Sequence, residues 1–231
     1  MGPASWNAVK LVLAAGTPIQ RLVSGKGETH LFCNRQAVQI LKKDGKGDYA
    51  RLLNNYLEVI NRGVLWADRG WKNFSHYLDP IAGLGLGPWP DARLECQSFF
   101  IRALSCWRQG NKKKSLFFLG AAVHLVQDLC VPHHARGIAF CGHKEYERWA
   151  QDNCIDFSVY SEGKYNHASN PGEWVEVNAR ISRFYFPYVS NVSSETSYRM
   201  ATGVLLPLSQ RSTAGFFSFF LDCANTRYRG I

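Results

Sequence analysis

The chain has seven cysteines in 231 residues but no Cys-x-x-Cys pair, which excludes a thiolate zinc knuckle and a thioredoxin-like redox motif. Most of the seven are expected as small buried hydrophobes. Cys130 and Cys141, which bracket a histidine-bearing loop, are the pair to test first for a bridge. No apolar stretch reaches the roughly 18 uninterrupted residues of a membrane span, because Lys10, His124 with Asp128, and Gln210 with Arg211 interrupt the longest ones. Ala8 to Gly16 contains Lys10, is short and has no charged segment before it, so it makes a poor signal peptide. There is no run of alternating β-branched residues, no internal repeat and no low-complexity tract. Acidic residues are also in deficit, with 18 Asp and Glu against 27 Lys and Arg for a formal charge of +9. That balance favours phosphate-bearing partners such as lipid headgroups or nucleic acid, although solubility alone also accounts for it.

What is present is a helical period. Hydrophobic types make up 46% and aromatics 13% of the chain, enough to bury the core of a single domain. Tyr49, Leu52, Leu53, Tyr56, Leu57 and Ile60 recur at three- and four-residue steps, with Asp48 as a cap and Gly63 as a stop. The same reasoning predicts helices over 91–109 and over 112–130, the latter halting before Pro132. Further helices are predicted near 30–43, 143–153, 172–187 and 197–222, the last with a kink at Pro207. Two Gly- and Pro-bearing loops stand out, Pro80 to Pro90 and Ser161 to Gly172. The fold class is all-α, a single-domain helical bundle.

The chemistry concentrates between residues 119 and 147. His124 and Asp128 lie one turn apart on one face of an otherwise apolar helix. An ionised Asp there needs a partner, which a metal cation or a structural hydrogen bond to His124 can be. His143 and Glu147 repeat the spacing on the next helix, where a solvated face alone would explain Glu147. Between the pairs stand Pro132, His133 and His134, and on composition either histidine can be a ligand. Upstream, Asp68 and His76 add a carboxylate and an imidazole, and His30 opens a helix where the dipole gives a histidine nothing. His167, in a polar loop, looks idle. Imidazole nitrogens and carboxylate oxygens in this mixture suit zinc, whose hydrolytic sites keep a position open for water.

Together these residues resemble the bacterial zinc-dependent phospholipases C, the family of the three-zinc phosphatidylcholine-hydrolysing enzymes and of the clostridial alpha-toxin catalytic domain. The pieces that carry the likeness are Thr29-His30, Ala67-Asp68, His76 through Pro80, Phe118-Leu119-Gly120 with His124 and Asp128, Pro132-x-His134, and His143-x-x-x-Glu147. A weaker likeness continues through Asn170 to Trp174 and the last helix. The resemblance implies a helical bundle with a multi-zinc cleft formed by residues 29–231, preceded by an N-terminal segment, 1–28, to which it assigns no role. It implies Zn2+, two or three ions per chain. Asp68, His76, His124 and Asp128 would hold one ion, and His134, His143 and Glu147 a second. His30 and a bridging Asp128 would contribute to a third. It selects His134 over His133. The implied activity is hydrolysis of a glycerophospholipid phosphodiester at a membrane surface to diacylglycerol and a phosphorylated headgroup, with Asp68 as general base and an extracellular location.

Some positions depart from that pattern. The family completes its third site with an N-terminal tryptophan, whereas the tryptophan upstream of His30 is Trp6, with five residues before it. Either processing exposes Trp6, or the third site is built differently or stays empty. Arg69 stands where choline-specific relatives place a tyrosine, and Asn73 where they place a phenylalanine. Arg69, Asn73 and Tyr77 are therefore the candidate substrate contacts. Trp66, Trp71, Phe74 and Tyr77 can form a cation-binding wall, while Arg69 argues for an anionic or neutral headgroup. No C-terminal β-domain of the alpha-toxin kind follows, so strong membrane lysis is not expected. Two alternatives remain: a zinc-dependent single-strand nuclease of the same fold, held to its polyanion by the positive charge, and a non-catalytic zinc-stabilised protein.

Overall fold

The computed structural model describes residues 27–191 and 193–226. Eight α-helices follow in these residues: α1 (Glu28–Lys43), α2 (Gly47–Asn55), α3 (Leu57–Ala67), α4 (Ala92–Arg108), α5 (Lys112–Asp128), α6 (His143–Asp152), α7 (Pro171–Ser182) and α8 (Glu195–Asn225). Short 3-10 turns cover Gly70–Ser75, His134–Arg136, Cys154–Phe157 and Arg183–Tyr188. The only β-type pairing among the described residues is an isolated bridge between Asp79 and Leu84.

Side-chain caps fix several of the helix starts by taking up N–H groups that have no partner inside the helix. Asp91 accepts from the backbone N–H groups of Arg93 and Leu94 to open α4. Asn111 opens α5, and Asn170 followed by Pro171 opens α7. Ser194 opens α8. Asp91→Ala is expected to lower stability by about 1 kcal/mol, or roughly 2–4 °C in Tm. A thermal melt checks this, and an unchanged Tm would mean that the cap contributes nothing.

The core is organised around α5. Every residue of α5 from Phe118 to Asp128 is buried, the condition of a helix wrapped on all sides rather than one with an exposed polar face. It packs most extensively on α3 and α4, with α8 and α7 closing the remaining sides. Trp174, Phe216, Phe217 and Phe220 are fully buried in the same cluster.

The helix expected over 48–63 is two. The chain turns at Tyr56 (φ −117°), and α3 then runs straight through Gly63 to Ala67. Gly63 is therefore not a stop but a contact. A Cβ there would sit 1.9 Å from the carbonyl oxygen of Phe117, and one on Gly120 would sit 2.1 Å from that of Ile60. These two glycines let the backbones of α3 and α5 touch. The segment expected over 172–187 is also divided, α7 ending at Ser182 and a 3-10 turn taking over. Helix α8 continues through Pro207.

The Cys130–Cys141 bridge does not form: all seven cysteines are free. Cys130 is buried and directs its Sγ to the Val126 carbonyl. Cys141 is exposed, with φ +62°, and its carbonyl accepts from His133.

Candidate metal centre

The end of α5 and the loops around it bring all eight expected ligands together. His124 and Asp128 come from α5, His30 from the first turn of α1, and Asp68 caps the C-terminus of α3. His76 follows the first 3-10 turn, His134 opens the second, and His143 and Glu147 lie on α6. Seven of them line one cleft of about 440 Å3, and His124 lies fully buried behind them.

Three groups of ligand atoms form, each with its members within 4.8 Å of one another: His76, His124 and Asp128; His30, Asp68 and His124; and His134, His143 and Glu147. Asp128 is the hub. Its Oδ1 is 3.3 Å from His30 Nε2, and its Oδ2 is 2.8 Å from His76 Nδ1 and 3.1 Å from His124 Nε2. Asp68 Oδ1 lies 3.5 Å from His124 Nε2 and 3.9 Å from His76 Nδ1. In the third group Glu147 Oε1 is 3.0 Å from His143 Nε2 and 3.6 Å from His134 Nε2.

The atoms themselves test whether a cation fits. Asp128 Oδ2 is buried among these imidazoles yet accepts no hydrogen bond of proper direction. His124 Nε2 faces His76 Nδ1 at 3.2 Å, and His134 Nε2 faces His143 Nε2 at 3.1 Å. Facing ring nitrogens repel if both carry protons or both carry lone pairs, and a cation among them removes the conflict. The donor set, imidazole with carboxylate, is that of zinc.

Neighbouring groups set the tautomers. His134 Nδ1 donates to the His76 carbonyl at 3.0 Å, leaving Nε2 as the free lone pair aimed at His143 and Glu147. Gln127 does the same for His30. Its Nε2 donates to Asn34 Oδ1 and Thr213 Oγ1, which turns Oε1 towards His30 Nδ1 at 2.9 Å. The Asn34 amide in turn donates to Asn61. This buried amide chain escapes sequence reasoning, and its one signal is a glutamine next to Asp128 in an apolar helix.

Electrostatics divide the imidazoles, with His30 and His76 lowered and His124 and His134 raised by the carboxylates beside them. Burial, with the neighbouring His124, holds His30 below its ordinary pKa, and burial does the same to His76. Both are thus in the neutral, metal-ready form. Burial opposes charge on His124 too, but the Asp128 and Asp68 carboxylates outweigh it and push its pKa to about 9. Burial would raise Asp128 and Glu147, yet the surrounding imidazoles hold both well below the usual carboxylate range.

His133 is not in the ligand groups. It donates from Nε2 to the Cys141 carbonyl and stacks on His143 at 4.7 Å. His167 pairs with Asn178 away from the cleft. Of the candidate substrate contacts, Asn73 and Tyr77 line the cleft, and Tyr77 stacks on His134. Arg69 is exposed and does not line it. The expected aromatic wall is not built: Trp66 packs against Phe99, Phe117 and Phe118, and Trp71 and Phe74 stack on Trp89. Trp6 lies outside the described residues.

An all-α bundle that gathers five imidazoles and three carboxylates into one open cleft defines a multi-metal hydrolase. The chain belongs to the zinc-dependent phospholipase C family: residues 29–195 match its description, "Zinc dependent phospholipase C", and the enzyme class is a zinc-dependent phosphodiester hydrolase. It is 24% identical to a phospholipase C of Listeria monocytogenes, covering 85% of this chain and 78% of that protein. It is 25% identical to a phospholipase C of Clostridium perfringens, covering 84% of this chain but only 58% of that protein. The alpha toxin of Clostridium absonum shares the fold, with a TM-score of 0.79 at 19% identity over 90% of this chain and 67% of the toxin.

Proposed function

We propose that residues 29–231 are a catalytic unit that hydrolyses the phosphodiester of a membrane glycerophospholipid between phosphorus and the glycerol oxygen, releasing diacylglycerol and a phosphorylated headgroup. The observation that carries this is the buried Asp128 Oδ2, which accepts no hydrogen bond of proper direction and lies among three imidazoles, those of His76, His124 and His134. His76, His124 and Asp128 would hold one zinc, and His134, His143 and Glu147 a second. His30 and Asp68 stand ready for a third, with Asp128 between the sites. Zinc supplies positive charge for the phosphate oxygens and acidifies water near it. Asp68, with 36% of its side chain exposed, is the carboxylate able to take the proton of the attacking water. The departing glycerol oxygen then collects a proton from solvent. Asn73, whose Oδ1 is buried without a partner, and Tyr77 face the substrate.

Asp68→Asn is expected to lower kcat by about 100- to 10,000-fold, the range of a lost general base. Zinc at His134, His143 and Glu147 should be retained. A kcat within threefold of the original would remove Asp68 from the reaction. The substrate is decided by assaying the zinc-loaded protein side by side on phosphatidylcholine, phosphatidylethanolamine, phosphatidylinositol and single-stranded DNA, with chelator controls. Product from DNA alone would replace this reading with a nuclease. No product from any of them would leave zinc a structural role.

A further inference from the structure

One segment singled out in the sequence takes no part in the metal chemistry. The loop Pro80 to Pro90 is Pro, Ile, Ala, Gly, Leu, Gly, Leu, Gly, Pro, Trp, Pro: eleven residues without a charge. Apolar side chains normally turn inward, and when they cluster outside they mark an interaction surface. Here Ile81 and Leu84 are each 66% exposed. The exposure is built in rather than loose. Asp79 Oδ1 accepts from the N–H groups of Ile81 and Ala82, and the Asp79 N–H donates to the Leu84 carbonyl. Gly83 takes φ +69° to close the turn. These bonds fold the loop into a blunt tip that presents Ile81 and Leu84 outward.

The tip adjoins the cleft. A Cβ on Gly85 would lie 3.2 Å from the Tyr77 carbonyl, so the loop backbone leans on a residue that lines the cleft. The next residue, Leu78, donates its N–H to the His134 carbonyl. On the other lip, Phe140 is 81% exposed and follows Ala139, which also lines the cleft. Phe184, 72% exposed, stands next to Arg183, whose guanidinium reaches Asp79 at 3.5 Å. Basic side chains accompany these apolar tips: Lys144 in the cleft wall, and Arg93 and Arg183, which are ion-paired with Asp91 and Glu176 and with Asp79. The aromatic stack of Trp71, Phe74 and Trp89 supports the base of the loop. Apolar tips, aromatics below them and cations around them match the layers of a phospholipid surface: acyl chains, interface and phosphate.

We infer that Ile81 and Leu84, with Phe140 and Phe184, are a membrane-docking edge that seats the cleft on a phospholipid bilayer and leaves the metal chemistry itself unchanged. The inference rests on the proposed lipid substrate for its purpose, but its test reads binding apart from turnover. The double variant Ile81→Asp with Leu84→Asp is compared with the original protein for co-sedimentation with phosphatidylcholine vesicles containing phosphatidylserine. Each is also assayed for hydrolysis of vesicles and of dihexanoyl phosphatidylcholine below its micelle concentration. Removing two inserted aliphatic side chains is expected to weaken vesicle binding and vesicle hydrolysis at least about tenfold, with turnover of the monomeric lipid unchanged. Phe140→Asp should act in the same direction, and Ile101→Asp, 57% exposed on α4 but away from the cleft, should not. Vesicle binding unchanged by the double variant, or no vesicle binding by the original protein, overturns the inference. An equal fall on monomeric lipid also overturns it, because the loop would then belong to the reaction. If the original protein hydrolyses no lipid but binds vesicles through Ile81 and Leu84, the substrate reading fails and the docking edge stands.

Discussion

Asp128→Asn is expected to remove zinc and activity together and to weaken the fold itself. Loss of an outer-shell partner of a metal ligand already costs about 10- to 100-fold in affinity. Asp128 touches His30, His76 and His124 directly, so its loss should exceed about 100-fold. The amide keeps the shape but not the charge. Without metal, His124 owes its raised pKa first to Asp128, so in the amide variant burial returns it to the neutral form and the buried ion pair is lost. The imidazoles facing position 128 lose a charged partner, which costs about 1–3 kcal/mol. Zinc content by mass spectrometry, and Tm with and without added zinc, check both halves. Unchanged zinc content would refute the hub role.

Gly120→Ala is expected to be, with the same change at Gly63 and Gly215, among the most damaging single methyls in the described residues. Its Cβ would meet the Ile60 carbonyl oxygen at 2.1 Å, with the Ile60 carbonyl carbon at 2.9 Å. Backbone cannot swing aside as a side chain can, so α3 and α5 must separate. Overpacking typically costs 1–3 kcal/mol, and a clash with backbone should reach about 3 or more, or roughly 6–12 °C in Tm for a chain of this size. The same separation would displace α5, which carries His124 and Asp128, so activity should fall with stability. Gly47→Ala is the comparison: at the start of α2, nothing lies within 4 Å of its Cβ, and a small stabilisation is expected. A Gly120→Ala protein melting within 2 °C of the original would show that the two helices have room to part.

Much of this was legible without coordinates, for identifiable reasons. Helices carry their own period, but their ends are harder to read: Asp48, expected as a cap, stands in the first turn of α2 behind an N-cap at Lys46, whereas the side chains that do cap include Asp91 and Asn170. Ligands at four-residue spacing on α5 and α6 share a face because of helix geometry alone. Gly63 reads as a stop because a glycine that ends a helix and one that admits a neighbouring backbone look alike in one dimension. The division at Tyr56 likewise follows from how α2 and α3 pack. Trp66 reads from the sequence as part of a cation-binding wall, but its ring packs against Phe117 and Phe118. The Gln127, Asn34 and Thr213 chain joins positions 93 and 86 residues apart, and no local pattern encodes it.

The ligand groups also have a topological meaning. His30 and Glu147 stand at the two ends of a 117-residue interval, and the ligands between them come from α1, α3, α5, α6 and the intervening turns. An ion held by such a set acts as a cross-link: it closes long loops in the unfolded chain and so removes entropy there, as a disulfide does. A bundle whose seven cysteines are all free would thus take its long-range stapling from metal, and its resistance to unfolding would follow the supply of zinc rather than the redox state of its surroundings.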